Sequence, residues 1–109
     1  MSDSYISIIA TKPGNAPPKI EKRTADSRVF ELECTPLLSN NELVYGEVRV
    51  DSPVLKITEL KPKLGKYVRF RVEGGPTDIP HEDYKITFMI QTSSGNELSV
   101  PVTIRVYSI

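Results

Sequence analysis

Tyr84-Lys85-Ile86-Thr87-Phe88-Met89-Ile90-Gln91 alternates apolar and polar side chains, and Leu98-Ser99-Val100-Pro101-Val102-Thr103-Ile104-Arg105-Val106 repeats the alternation after Thr92-Ser93-Ser94-Gly95-Asn96-Glu97. A period of two puts Tyr84, Ile86, Phe88 and Ile90 on one side of an extended chain, and Leu98, Val100, Val102, Ile104 and Val106 on one side of another. With a Ser-Ser-Gly-Asn turn between them, the two runs predict a long β-hairpin from Asp83 to Val106 with one apolar face. That face has to be covered, and the rest of the chain has to supply the cover.

Upstream, the same alternation recurs in shorter pieces. Val68, Phe70 and Val72 alternate with Tyr67, Arg69 and Arg71, giving a strand apolar on one side and basic on the other. Val44, Gly46, Val48 and Val50 predict a further strand that stops at Asp51-Ser52-Pro53. Leu55 and Ile57 are the inward pair of a less regular one, broken by Lys61-Pro62-Lys63-Leu64-Gly65. Phe30, Leu32 and Cys34 share a face opposite Glu31 and Glu33, with Cys34 turned inward. Leu37 and Leu38 follow in a loop with room for a helical turn and plug one end of the core. About seven strands at intervals of roughly 8–15 residues, with no amphipathic helix, predict an all-β fold of two packed sheets. Glu82-Asp83-Tyr84 stands where a tyrosine corner would, which favours an immunoglobulin-like antiparallel β-sandwich over a small barrel. Gly74, Gly75 and Gly95 are assigned structural roles in turns, as is Tyr84 at the corner.

The first nineteen residues read differently. Tyr5, Ile6, Ile8 and Ile9 are apolar and β-prone, but Pro13, Gly14, Pro17 and Pro18 prevent the ladder from continuing. The organisation expected is therefore an N-terminal strand or arm with a Pro-rich linker over residues 1–19, and the sandwich over residues 20–109. The arm is either an ordinary edge strand or a strand that adds itself to a neighbouring subunit. On the second reading, deleting residues 1–18 impairs assembly more than folding.

The 109 residues make one domain, able to bury a modest core. Fourteen basic and fourteen acidic side chains cancel, so no global field steers the chain to nucleic acid or to an anionic membrane. A single cysteine excludes an internal disulfide and a cysteine-based zinc site, and fits folding in a reducing cytoplasm. The opening Met1-Ser2-Asp3-Ser4 has no signal-peptide pattern, and apolar runs are too short for a membrane helix.

Residues capable of chemistry are few. His81 lies among Asp78, Glu82 and Asp83, a set that could hold a metal or an acid and base pair; a solvated loop, with Asp83 tethering backbone near Tyr84, is the plainer reading. Cys34 would need His81 beside it to act as a nucleophile, and a buried thiol is the alternative preferred. Gly74-Gly75 lacks the Lys-Ser/Thr and helix of a phosphate loop, and no G-x-S-x-G elbow occurs. The expectation is no enzyme activity, no metal and no cofactor. Lys56, Lys61, Lys63, Lys66, Arg69 and Arg71, with Tyr67 between them, could form a nucleic-acid stripe; Glu47, Glu59 and Glu73 nearby make a mixed solvated face the first reading, and a charged protein interface the second.

Gly74-Gly75, a polar loop, Asp83-Tyr84-x-Ile86-Thr87, Thr92-Ser93-x-Gly95 and the closing strand to Val106 together resemble small immunoglobulin-like virion proteins of tailed bacteriophages. The resemblance spans Val44 to Val106, and it departs from the pattern in Pro76-Thr77-Asp78-Ile79-Pro80-His81 and in the proline-containing front. It implies a non-enzymatic structural protein made in the host cytoplasm and built into the virion in several copies around a symmetry axis. The partners implied are tail, fibre or capsid subunits, with fibre-to-tail adaptor ahead of capsid decoration, and a bacterial binding or adhesion module as the alternative of another class. The partner-binding residues expected are Tyr5, Ile6, Ile8, Ile9, Pro17 and Pro18 in the arm, and Thr77, Asp78, Ile79 and His81 in the loop.

Overall fold

The structure, a computed structural model, describes residues 6–12, 14–51 and 55–108. Among the described residues eight strands follow one another: β1 (Ile6–Ile9), β2 (Lys19–Arg23), β3 (Arg28–Glu33), β4 (Arg49–Asp51), β5 (Lys56–Lys63), β6 (Tyr67–Glu73), β7 (His81–Gln91) and β8 (Glu97–Tyr107). A 3-10 turn, Thr35–Leu37, follows β3. The strands form two four-stranded sheets, in the orders β1-β3-β6-β5 and β2-β8-β7-β4, which face each other as a β-sandwich.

The predicted hairpin is the backbone of the second sheet. β7 and β8 pair without a break from His81 opposite Tyr107 to Gln91 opposite Glu97. Gly95 takes φ 86° in the turn, and its N–H donates to the Thr92 carbonyl at 3.0 Å, which is why a glycine stands there. Ile86, Phe88, Ile90, Val100, Val102, Ile104 and Val106 are all buried, as the alternation requires. Facing them from the first sheet are Phe30, Leu32, Val68, Phe70 and Val72, each fully buried. Phe70 joins the two layers, with its ring centroid 5.8 Å from Phe30 and 4.7 Å from Phe88. Leu37 and Leu38 pack against the core edge as expected.

Several expectations are corrected. The sheets are mixed rather than wholly antiparallel, because β1 runs parallel to β3 and β2 parallel to β8. The strand expected over Val44 to Val50 is reduced to β4 and a lone bridge from Val44 to Thr92. Gly46 at φ 78° turns the chain between them, although Val44 and Val48 still point inward and are buried. Conversely, β5 runs on through Pro62 to Lys63. It is an edge strand, so the missing N–H of Pro62 is not needed by a second neighbour. Leu64 and Gly65, both at positive φ, make the turn into β6.

The tyrosine corner is also absent in the form expected. β7 begins at His81, so Tyr84 lies inside the strand opposite Ile104, and its hydroxyl donates to a Glu82 carboxylate oxygen at 3.0 Å rather than to backbone. Tyr84 packs half-buried against the core. Asp83 does not tether loop backbone; its carboxylate accepts from Arg105 Nε at 2.7 Å and Nη2 at 3.1 Å across the hairpin.

Candidate functional site

Each of the two stretches expected to bind partners has its own place in the fold. β1 is the outer strand of the first sheet, in register with β3 from Ile6 opposite Phe30 to Ile9 opposite Glu33. Ile8 is buried, and so is Ala10, whose N–H donates to the Glu33 carbonyl at 2.9 Å. Ile9 stands 57% exposed on the outward side, and Ile6 is 41% exposed at the strand's open end. Pro17 is exposed and Pro18 half-buried, leading into β2, where the Pro18 carbonyl accepts from Thr103 N–H at 2.9 Å. Tyr5 lies outside the described residues, as does Pro13. The chain from β1 to β2 therefore passes from the edge of one sheet to the edge of the other.

The loop from Gly74 to Pro80 sits at the opposite end of the sandwich from Ile9, since β1 and β3 are parallel and β3 starts beside the end of β6. Ile6, at the start of β1, lies toward the loop's end of the sandwich, so of the described strand residues Ile8 and Ile9 are the ones set apart from the loop. Thr77, Asp78, Ile79 and His81 are exposed, with Ile79 at 40%. The root of the loop, in contrast, is held firmly. Lys22 is 4% exposed, and its ammonium donates to the carbonyls of Arg23 at 2.7 Å, Asp26 at 3.0 Å and Gly74 at 2.7 Å. Burial pushes its pKa down, with Asp26 and Glu73 opposing the shift. Thr24 Oγ1 donates to the Pro76 carbonyl at 2.6 Å. Gly75, at φ 145°, leaves no room for a side chain: a Cβ there would fall 2.3 Å from Val106 Cγ1 and 2.8 Å from Thr24 Oγ1. The loop is an exposed tip on a fixed base.

The residues weighed for chemistry are not assembled. Cys34 is fully buried, and its thiol is pushed up to about 12 by burial and by Glu33. His81 is exposed, its ring 5.8 Å from that of Tyr107. Among the described residues no group of three His, Cys, Asp or Glu side chains is placed to hold a metal ion, and no helix is long and apolar enough to cross a membrane.

The basic side of β6 does form a surface feature. Arg69 and Arg71 of β6, Lys61 and Lys63 of β5 and Arg28 of β3 line a groove of about 540 Å³ on the outer face of the first sheet. Glu59 is the carboxylate on its wall. A bulge between Thr58 and Lys61, with Glu59 at φ 55°, bends β5 and opens the groove. Arg71 holds Glu59 through Nε and donates to Ser27 Oγ through Nη1 at 3.0 Å. Arg69 donates to one Glu31 oxygen at 3.2 Å and 2.9 Å. Lys56, part of the same sequence stripe, turns instead to Glu73 at 3.5 Å. The stripe was legible in the sequence; the contribution of Ser27 and Arg28 was not, because it depends on the pairing of β3 with β6.

A second arrangement had no sequence signal. Glu42, in the long loop after β3, is 3% exposed, and its carboxylate accepts from Ser39 N–H at 2.9 Å, Thr92 Oγ1 at 2.5 Å and Asn96 Nδ2 at 2.9 Å. It ties that loop to the turn between β7 and β8.

No family model matches the chain, and no curated protein matches it. A solved structure to which it is similar is the 2,6-sialyltransferase of Vibrionaceae Photobacterium sp. JT-ISH-224, in a ternary complex with the donor product CMP and the acceptor substrate lactose. The TM-score is 0.47 at 15% identity, and the alignment covers 98% of this chain and 19% of that one. Similarity at that level carries no activity across.

Proposed function

We propose that the chain is a non-enzymatic structural protein of a tailed-phage virion, bridging tail and fibre or joining adjoining virion subunits through edge-strand and loop contacts. The virion setting rests on the resemblance of the Gly74 to Val106 pattern. The mode of action rests on one observation: β1 is an outermost strand whose outward Ile9 is 57% exposed while Ile8 anchors the strand to the core. An edge strand offers unpaired backbone groups for affinity and its exposed side chains for specificity, so a neighbouring chain can add a strand beside it. Copies placed around a symmetry axis would each present the same edge and the same Thr77 to His81 tip.

The experiment is made on particles of the phage encoding the chain, purified on a density gradient and separated into tails and heads, with mass spectrometry as the readout. The wild-type chain is expected in the tail fraction, and an Ile6→Lys/Ile9→Lys variant is expected to keep its thermal melt but drop out of the particles. A chain absent from purified particles, recovered only with heads, or incorporated equally well as the double variant would overturn the proposal.

A further inference from the structure

We propose that the turn between β5 and β6, with the loop segment packed beneath it, is a docking site for an anionic lipid surface. This goes beyond the virion reading and does not depend on it, since it concerns neither β1 nor the Thr77 to His81 tip. Leu64 is the residue that the turn itself does not explain. Leu64 and Gly65 are the two central residues of a hairpin turn closed by the Lys66 N–H, which donates to the Lys63 carbonyl at 3.2 Å. Their φ angles are 55° and 69°. A two-residue turn with both central residues at positive φ favours Asn-Gly or Asp-Gly, because the left-handed region is open to glycine and to short polar side chains but strained for leucine. Gly65 meets that demand and Leu64 does not. The Leu64 side chain is also 87% exposed, so packing in the sandwich does not offset the strain. An apolar side chain held at an apex against its backbone preference is placed for contact with something outside the chain.

The apex has neighbours of the same kind. Leu43 lies against Gly65, where a Cβ would fall 2.9 Å from Leu43 Cδ2. Among the described residues six large apolar side chains are exposed, and three of them, Leu43, Tyr45 and Leu64, stand on these adjoining loops. Backbone bonds fix the loops to one another. The Val44 N–H donates to the Gly65 carbonyl at 2.6 Å, the Ser93 N–H to the Leu43 carbonyl at 2.8 Å, and the Tyr45 N–H to the Gln91 carbonyl at 2.8 Å. The buried Glu42 carboxylate ties the same segment to Thr92 and Asn96. The apolar groups are therefore presented by a preorganised end of the sandwich.

Charge names the partner. Lys63 and Lys66 flank the apex, both exposed, and among the described residues neither makes an ion pair. The carboxylates near this end are engaged or set back: Glu42 is 3% exposed among its donors, Glu97 faces Arg49 at 3.7 Å, Glu33 is half-buried on β3, two strands from β5, and Glu47 follows the Gly46 turn toward β4. An apolar apex with cations one step behind it matches the layering of a bilayer surface. Leu64 enters the hydrocarbon boundary while the long lysine stems carry their ammonium groups back to the phosphates, and Tyr45 suits the headgroup level. A carboxylate-rimmed pocket of a protein offers similar chemistry but demands a fixed shape, which lysines without partners do not supply; mobile headgroups demand none. Since the chain as a whole carries no net charge, the attraction is local to this end and sensitive to salt.

The test is co-sedimentation of the full chain with vesicles of about three parts phosphatidylcholine to one part phosphatidylserine, against vesicles of phosphatidylcholine alone, at about 50 mM salt where surface charges are weakly screened. The chain is expected to bind the anionic vesicles, and the neutral ones about tenfold more weakly. Binding to the anionic vesicles is expected to fall about thirtyfold in Lys63→Ala/Lys66→Ala and about tenfold in Leu64→Asn. Leu64→Asn suits the turn, so this variant is expected to melt at or above the wild type, and a loss of binding in a chain no less stable separates contact from folding. If the lysine pair does not fold, Leu64→Asn decides. Absence of binding to anionic vesicles, equal binding to neutral ones, or binding unaltered in Leu64→Asn would overturn the proposal, as would a Glu-rich peptide that bound as tightly as the vesicles and lost its binding in Leu64→Asn, which would assign the site to a protein partner.

Discussion

Glu42 shows how a buried charge can be held without a cation. The Ser39 N–H, then the Thr92 hydroxyl and the Asn96 amide, stabilise the ionised carboxylate and hold its pKa at about 2, against an ordinary 4.5. The folded pKa lies below the unfolded one, so the stabilisation is fully present above pH 4.5 and is lost as pH falls toward 2. Asp26, Glu73 and Asp83 are also held below the usual carboxylate range, each first by a side-chain hydrogen bond, so a pH-dependent loss of stability in acid is expected from these groups too. A comparison with Glu42→Gln isolates the one residue. In urea melts, the wild-type midpoint is expected to drop more steeply between pH 4.5 and 2 than that of the variant; parallel curves would show that Glu42 contributes nothing pH-dependent. At neutral pH the variant is expected to be the less stable, because an amide replaces one acceptor oxygen with a donor that faces other donors.

Among the elements, β1 is the one whose role is divided between packing and exposure. Ile8→Ala empties a buried site and is expected to cost about 2–3 kcal/mol, whereas Ile9→Lys is expected to stay within about 0.5 kcal/mol of the wild type, both read from urea midpoints. Equal, negligible losses would mean that β1 is not packed on the sandwich. Because Ile8 and Ala10 are buried, removing residues 1–18 strips material from the core, so point changes at Ile6 and Ile9 are the cleaner probe of assembly. The long elements were legible before the structure. In β6, β7 and β8 one sheet face is buried and the other is not, and the period-two pattern records that difference directly, whereas in β3 the outward Glu31 is buried as well. Where the pattern misled, a local conformation had overridden it: Gly46 at positive φ cut short the strand after Val44, and the edge position of β5 let Pro62 remain in a ladder. The buried Lys22 and Glu42 gave no signal at all. Both are polar residues with some partners close in sequence and others about fifty positions away, and the distant ones make their burial a property of the assembled fold. The same holds for the groove, where the cations of β5 and β6 were visible as a stripe but the bulge that opens it was not.

The whole molecule measures 45 × 38 × 19 Å, and two sheets that pack about 10 Å apart leave room in its shortest dimension for one interior layer of side chains. Neither sheet can bury its apolar face without the other. Phe70 is the residue through which this dependence is most concentrated, since it lies against Phe30 in its own sheet and Phe88 in the facing one. A single shared layer predicts a single cooperative unfolding unit. Phe88→Ala opens a cavity in that layer and is expected to cost about 3–5 kcal/mol, a large part of the stability of a domain this size. Phe88→Leu keeps most of the volume and is expected to cost about 1 kcal/mol. In native-state hydrogen exchange, the loss caused by Phe88→Leu is expected to appear equally in β3 and β6 of one sheet and in β7 and β8 of the other, although the substitution touches β7 alone. If protection fell in β7 and β8 while β3 and β6 kept theirs, the sheets would be separate folding units and the shared layer would not be what holds the sandwich together.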